Sequence, residues 1–210
     1  VSVFLFDSFI LGSCFLIAFR SNRNKFFFYN FNKDIAKKLL SNSWPLILST
    51  IVTMIYMRID QLMIRSMLGD YEVGIYSISV RLSEAAYFIP IIVSASLFPA
   101  ILNAKKISSY LYDNRMQRLY CLLAWIAISI GFLITFLSEN IIVTLFGIDY
   151  IESSKVLIIH IWTSLFVFVG VAYNKYLISE NFTSVIFKRT FLGAIVNIFF
   201  NIILIPIYGI

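Results

Sequence analysis

The stretch RLYCLLAWIAISIGFLITFLS, residues 118–138, decides the fold class of this chain, because it is almost wholly apolar and carries no charge after Arg118. A helix needs about 20 apolar residues to cross the hydrocarbon core of a bilayer. Similar stretches recur along the chain, and together they predict six spans: 1–19, 44–67, 73–102, 118–138, 155–177 and 187–207. We therefore expect an all-α, polytopic transmembrane helix bundle.

The composition of the whole chain agrees with a membrane protein. Of the 210 residues, 60% are hydrophobic and 13% are charged, whereas a soluble domain carries about 25% charged residues. The basic residues behind the net charge of +6 lie in short loops between apolar stretches, which indicates membrane topology and argues against nucleic acid binding. Cys14 and Cys121 lie far apart in apolar stretches and form neither a disulfide framework nor a metal motif.

The loop charges predict the orientation, because Lys and Arg are retained on the cytoplasmic side of a membrane. The loops after the first, third and fifth spans are basic: Arg20, Arg23, Lys25, Lys33, Lys37, Lys38, then Lys105, Lys106, Arg115, Arg118, then Lys175, Lys188, Arg189. The other two loops are mainly acidic: Asp70, Glu72, Glu139, Asp149, Glu152. We expect residue 1 outside and residues 20–42 as a basic and aromatic cytoplasmic linker, either an interfacial helix or an ordinary connection.

Ionisable side chains inside the second and third spans are the strongest functional signal. Each costs at least about 2.5–3.5 kcal/mol at the centre of a membrane helix, so these groups normally face a bundle interior or an aqueous cavity. Counting outward from the turn between the two spans places Asp60 level with Arg81, and Arg58 between Arg81 and Glu84. We expect these four side chains to converge in one polar layer that lines an interior cavity.

Arg58 and Arg81 are the substrate-binding candidates, because a planar guanidinium binds phosphate through two parallel hydrogen bonds. Gln61, Tyr56 and Tyr87 lie near the same layer and are further cavity-lining candidates, with the tyrosine rings suited to stacking on a sugar.

Asp60 and Glu84 are open to two interpretations: they are functional groups of the cavity, or they form structural ion pairs with the arginines. His160 is the only histidine and has no second ligand at metal-binding spacing, so we expect it to pack between helices. We predict no catalytic residue, metal or cofactor, because no phosphate loop, nucleophile elbow or zinc motif occurs, and hence no enzyme.

Two prolines and one short stretch mark changes along the spans. Pro45 follows Trp44 and predicts the start of the second helix, where a missing N–H costs nothing. Pro90 falls in the middle of the third span and predicts a kink or a hinge. Ile141–Phe146, before Gly147, is too short to span and is expected to lie at the outer face or dip part-way in.

Short motifs carry a resemblance to a known family. They read SWPLILS (43–49), MRIDQ (57–61), LGD (68–70), VGIYS (73–77), VRLSE (80–84), LFG (145–147) with Tyr150, YLISEN (176–181), Gly193 with Asn197 and Asn201, and IPIYGI (205–210). From residue 43 to the end, the chain resembles the Wzx-type O-antigen and capsule flippases, in the polysaccharide transporter branch of the multidrug/oligosaccharidyl-lipid/polysaccharide exporter superfamily.

The resemblance implies twelve spans in two six-helix lobes around a central cavity. Residues 1–19 would be the last span of the first lobe and residues 44–210 part of the second, with the chain truncated at both ends. It also implies that undecaprenyl-pyrophosphate-linked oligosaccharide moves from the cytoplasmic to the periplasmic leaflet of the bacterial inner membrane, coupled to H⁺ or Na⁺. Asp60 and Glu84 are then the candidates for taking up this coupling ion. Membrane lipids and other polysaccharide-assembly proteins are the further expected partners.

Two other functions stay open from the sequence. A multidrug exporter of the same superfamily carries cations, which favour carboxylates without arginines inside the membrane. An O-antigen polymerase or ligase handles the same lipid, but it is expected to place catalytic Arg or His residues in a large periplasmic loop. The predicted outer loops here are short and acidic.

Overall fold

Long helices build the protein. A computed structural model describes residues 10–15, 17 and 32–210, except for the side chain of Asn42. In these residues five helices are long and apolar enough to cross a membrane: α1 (Lys33–Leu68, through its segment Ser43–Leu68), α2 (Asp70–Ile107), α3 (Ser109–Phe146), α4 (Ser153–Ser179) and α5 (Thr183–Tyr208). The fold is therefore an all-α, polytopic membrane helix bundle.

The chain divides into two compact units, Val1–Ser41 and Asn42–Ile210. In the first unit, most of the predicted span 1–19 lies outside the described residues, and residues 10–15 and 17 are helical. Most of the predicted linker 20–42 also lies outside them. Its last residues, from Lys33 on, are helical rather than a loop and belong to α1.

The start of α1 corrects the prediction made from Pro45. Asn32 caps the helix, because its Oδ1 accepts hydrogen bonds from the backbone N–H groups of Asp34 and Ile35 at 2.9 and 3.2 Å. Pro45 then lies inside the helix. The missing N–H of Pro45 removes one hydrogen bond there without ending the helix, so the cap, and not the proline, sets the start.

α2 changes its helix type just before Pro90. It consists of Asp70–Glu84, a 3-10 segment Ala85–Tyr87, and Phe88–Ile107. Proline lacks the N–H of a regular turn and its ring crowds the carbonyl four residues earlier, here that of Ala86. The 3-10 segment relieves this conflict, and whether Pro90 also acts as a hinge stays a prediction.

α3 continues through Ile141–Phe146, so this stretch is the end of a long helix, and its position at the outer face stays a prediction. Glu139 and Asn140, the polar residues just before this stretch, do not end the helix. Both are exposed, so their side chains can face water or lipid headgroups. The helix ends at Gly147 instead, whose φ of 94° is a left-handed conformation that favours glycine.

An apolar core joins α2, α3 and α4. Its buried members are Ile101, Tyr112, Met116, Leu119, Leu123, Ala127, Phe168 and Ala172. The five from α3 recur every three or four residues and so share one face of the helix. Where α4 is interrupted, between Ser153–His160 and Thr163–Ser179, Trp162 packs on Gly131, and a Cβ there would lie 3.4 Å from the indole ring.

Small polar residues join the first half of α2 to the start of α4. The buried hydroxyl of Ser79 donates to the carbonyl of Ser153 at 2.7 Å, and Ser83 on the same face is also buried. Small residues let two helix backbones approach closely in a membrane. By contrast, α1 packs sparsely on all the other described helices. The main packing partner of α5 is α4.

Candidate functional site

The polar side chains of α1 divide between two opposite faces. Arg58 and Asp60 are two residues apart, which places them about 160° apart around a helix that turns about 100° per residue. Gln61 and Arg65 lie on the side of Arg58 and, together with it, line a cavity of about 550 Å³. We call these three residues the arginine face.

Asp60 lies on the other side of α1 and is half-buried. Asn201 of α5 donates a hydrogen bond from Nδ2 to Asp60 Oδ1 at 2.6 Å, and the Tyr76 hydroxyl of α2 donates to Oδ2 at 3.4 Å. Asn201 also donates to Asn197 Oδ1 at 3.4 Å. We call Asp60, Tyr76, Asn197 and Asn201 the Asp60 site; a cavity of about 460 Å³ opens beside it.

His160 lies next to the Asp60 site. Its ring meets that of Tyr76 edge to face, with centroids 6.1 Å apart. Its Nδ1 is buried and has no hydrogen-bond partner among the described residues. If His160 packs between helices as expected, one polar atom of its ring has no partner among the described residues. The ring lies within electrostatic reach of the Asp60 carboxylate.

On the arginine face, Arg58 reaches toward α2. Its Nη2 lies 3.8 Å from Glu84 Oε2, and its side chain is 62% exposed whereas that of Glu84 is 20% exposed. The Nε2 of Gln61 is buried and has no hydrogen-bond partner in the described part of the chain. Arg65 instead pairs with Asp70 at 2.7 Å across the turn at Gly69.

Arg81 does not join the other candidates. It is exposed, and it makes no ion pair with any residue that the structure describes. The buried face of α2 carries Ile75, Ser79 and Ser83, and Arg81 projects from the opposite side of the helix.

The expected convergence of Arg58, Asp60, Arg81 and Glu84 in one cluster is therefore wrong. Only Arg58 and Glu84 meet, while Asp60 bonds to Tyr76 and Asn201. The expectation rested on equal depth in the membrane, and it ignored the direction in which each side chain leaves its helix.

The two tyrosine candidates, Tyr56 and Tyr87, lie near polar side chains of the neighbouring helices. The Tyr87 and Thr163 hydroxyls are 3.4 Å apart, which joins α2 to α4. Tyr56 is half-buried, on the Asp60 side of α1, within electrostatic reach of Asp60 and Arg189. That the two rings line the transport cavity stays a prediction.

Several polar residues near the site were missed as site residues from the sequence. Tyr76, Asn197 and Asn201 entered only through the family resemblance, yet two asparagines four residues apart in an apolar helix were a usable signal. Arg189 was assigned to a loop but belongs to α5, where its Nη2 donates to Asn174 Oδ1 at 2.7 Å and its guanidinium lies 5.2 Å from the Tyr173 ring.

A separate polar cluster lies where α4 meets α5. Lys105 Nζ donates to Glu180 Oε1 at 2.7 Å and to the Ser179 carbonyl at 3.0 Å. The hydrogen bond from Lys105 holds the pKa of the Glu180 carboxyl below its usual range. Tyr112 and Ser179 share a hydroxyl hydrogen bond of 2.6 Å beside it.

No group of three or more His, Cys, Asp or Glu residues in the described ranges could hold a metal ion. The polar groups here instead offer a guanidinium for an anion and a carboxylate, hydrogen-bonded by neutral donors, for a proton or a cation.

Known proteins resemble the chain in two ways. The model of the family described as polysaccharide biosynthesis protein matches residues 1–105, half of the chain. An uncharacterized membrane protein of Methanocaldococcus jannaschii is 29% identical over 189 residues, which are 90% of this chain and 43% of that protein. The chain thus spans less than half the length of this relative. No solved structure matches it significantly.

Proposed function

We propose, on the premise that the chain belongs to the polysaccharide biosynthesis protein family, that it forms part of a membrane transporter of lipid-linked sugars. Its substrate is an undecaprenyl-pyrophosphate-linked oligosaccharide, which crosses from the cytoplasmic to the periplasmic leaflet by alternating access for O-antigen or capsule synthesis. The transporter works in the bacterial inner membrane, beside other polysaccharide-assembly proteins, and catalyses no covalent reaction.

The position of Arg58 is the observation that carries this proposal. It lies well inside the membrane-length segment Ser43–Leu68, lines a cavity and is largely exposed there. Its 3.8 Å contact with Glu84 is too long for a hydrogen bond, so its donors stay available. A guanidinium at this depth favours an anion as occupant, and a pyrophosphate suits its planar fork of donors.

Asp60 is the proposed coupling group, with H⁺ or Na⁺ as the ion. Its carboxylate holds Asn201 of α5 and Tyr76 of α2 by hydrogen bonds. Uptake of an ion by Asp60 weakens or redirects these bonds, and so alters how α5 is attached to α1. A ligand shifts a conformational equilibrium by its differential affinity for the two states, and this contact supplies such a difference.

Complementation of a flippase-null strain by the full-length protein tests the proposal. We expect Arg58→Ala to lower surface polysaccharide by about tenfold or more, because each hydrogen bond to a charged group contributes about 1.5–3 kcal/mol. Arg65→Ala is the comparison variant, with a smaller loss expected, since Arg65 lines the same cavity but is already paired with Asp70. The amount of polysaccharide is compared at equal protein levels.

Arg81→Ala extends the test to the arginine that stands apart. We expect a smaller loss than for Arg58→Ala, since Arg81 is exposed on the far side of α2. Normal polysaccharide from both variants at matched expression would overturn the proposed substrate role of the arginines.

Export of organic cations is the second candidate function, and the Asp60 site favours it. A half-buried carboxylate beside the aromatic Tyr76, next to a cavity of about 460 Å³, is suited to a cationic substrate. Ethidium efflux by the full-length protein separates the two functions. Efflux that requires Asp60 but not Arg58 would support the exporter over the flippase.

A further inference from the structure

Another cavity with two arginines lies between the end of α2 and the first part of α3. It has a volume of about 340 Å³ and is lined by Leu97, Ala100, Ile101, Arg115, Arg118, Leu119 and Leu122. Apart from the two arginines, this lining is apolar. The cavity therefore combines two cationic side chains with an apolar lining.

The two arginines keep donors free for a ligand. Arg115 uses Nη1 to donate to the Ala100 carbonyl at 2.6 Å, and Arg118 uses Nε to donate to Asn114 Oδ1 at 3.0 Å. Neither pairs with a carboxylate within the described ranges. Lys105 on the neighbouring side of α2 differs, because Glu180 already neutralises it.

The apolar part of the cavity continues from the arginines along α3. Arg115, Arg118, Leu122 and Trp125 recur at intervals of three and four residues and so lie on one side of the helix. Leu122 is 42% exposed and Trp125 is 68% exposed. At about 1.5 Å per residue, Trp125 lies about 10 Å from Arg118 along the helix axis.

The loop charges put this end of the bundle on the cytoplasmic side, where anionic lipids attract basic segments. Basic pockets between membrane helices on that side bind lipid phosphates. We propose that this cavity binds an anionic glycerophospholipid of the cytoplasmic leaflet, with its phosphate on Arg115 and Arg118 and an acyl chain along Leu97, Leu119 and Leu122. The site is independent of the transported substrate.

Native mass spectrometry of the full-length protein in detergent with added phosphatidylglycerol tests this site. The wild type is expected to retain one more phosphatidylglycerol than the Arg115→Gln/Arg118→Gln variant, and to prefer it over phosphatidylcholine. The matched control is Lys106→Gln/Lys188→Gln, which removes two exposed charges that the loop pattern predicts on the same side and should retain lipid as the wild type does.

A titration of melting temperature gives the second readout. The phosphatidylglycerol concentration for half of the thermal shift should rise about tenfold or more in the double arginine variant, since two charge-assisted hydrogen bonds are lost. Inorganic phosphate should produce no shift, because it lacks the acyl chain.

Three outcomes would overturn the proposal: equal lipid retention by the arginine and lysine variants, equal binding of phosphatidylcholine, or a full thermal shift with phosphate alone. If the double variant does not fold, Arg118→Gln decides instead. The hydrogen bond of Arg118 stays within α3, so this change leaves the contact between α2 and α3 intact. All readouts are lipid binding, so a failed transport assay leaves them unaffected.

Discussion

The helices α2, α3 and α4 are held by apolar packing, whereas α1 packs sparsely on its neighbours and makes several polar contacts with them. Leu123 and Phe168 are fully buried between the first three helices. The contacts of α1 include the bonds of Asp60 to Asn201 and Tyr76, and a 3.2 Å contact between the Ser49 and Thr190 hydroxyls. Arg58 also lies 3.8 Å from Glu84, and the rings of Trp44 and Phe187 are 6.3 Å apart. Apolar packing thus fixes the inner helices, while α1 has few contacts and several of them are hydrogen bonds that can exchange partners.

This difference matters because lipid tails are as apolar as leucine and do not drive helices together. Membrane helices that pack closely are held by many van der Waals contacts at once, so the loss of one contact does not separate them. Helices joined by polar groups can separate when those groups bind an ion, a substrate or water. In the proposed transporter, movement is therefore expected between α1 and the core of α2, α3 and α4.

The largest expected effect is the loss of core packing in Phe168→Ala. Removing a buried aromatic ring costs about 3–5 kcal/mol, and the melting temperature of the full-length protein in detergent should fall accordingly. Phe166→Ala is the control, because Phe166 lies on the same helix but is 79% exposed. Equal losses in both variants would remove the contrast between a packed core and loosely attached helices.

The second prediction concerns Asp60→Asn. The amide keeps the size of the side chain but cannot take up a proton or carry the charge, so we expect transport to fall about tenfold to a hundredfold. Stability should change much less than in Phe168→Ala. The measurements are surface polysaccharide at equal expression and the melting temperature, with the exposed Asp149→Asn as control. Unchanged transport would show that Asp60 is structural.

The third effect is smaller still and tests the contact between Ser49 and Thr190. Hydrogen bonds between membrane helices contribute about 0.6 kcal/mol on average. A double-mutant cycle of Ser49→Ala and Thr190→Val should give a coupling free energy of this size. Thr50→Ala is the control, because its hydroxyl bonds to the Leu46 carbonyl of its own helix. A coupling above about 2 kcal/mol would mean that α1 is fixed as firmly as the core.

The fold could be predicted from the sequence because each span can be recognised from the length and apolarity of its own residues. The stretch 118–138 needs no neighbour to be recognised as a membrane helix. Helix ends were less predictable, since they depend on single residues such as the cap at Asn32. Pro45 looked like a start and is an interior residue.

The site was only partly predictable, because charge and depth can be read from a sequence, whereas the direction of a side chain relative to the other helices cannot. The contact of Arg58 with Glu84 followed from depth. The separation of Asp60 from Arg58 follows from the helical turn between them, which depth ignores. The bond to Asn201 was out of reach, because it depends on how α5 lies against α1, and no local pattern fixes that arrangement.

The smallest expected effect belongs to the ion pair of Lys105 and Glu180, a polar contact of the inner helices. Both side chains are partly exposed, at 38% and 26%, so solvent screening should limit the pair to a few tenths of a kcal/mol. The lowered pKa of Glu180 means that this stability is present above the ordinary glutamate pKa of about 4.3 and is lost as the pH falls through the lowered value.

Melting temperatures of the wild type and Glu180→Gln against pH check the sign of this effect. The wild type should be slightly more stable at pH 7, and the difference should vanish at low pH, where the protonated carboxyl resembles the amide. The bond of Lys105 to the Ser179 carbonyl is kept in both proteins and cancels from the comparison. A difference in melting temperature that persists at low pH would come from packing. The charge of Glu180 would then contribute nothing to the stability of the inner helices.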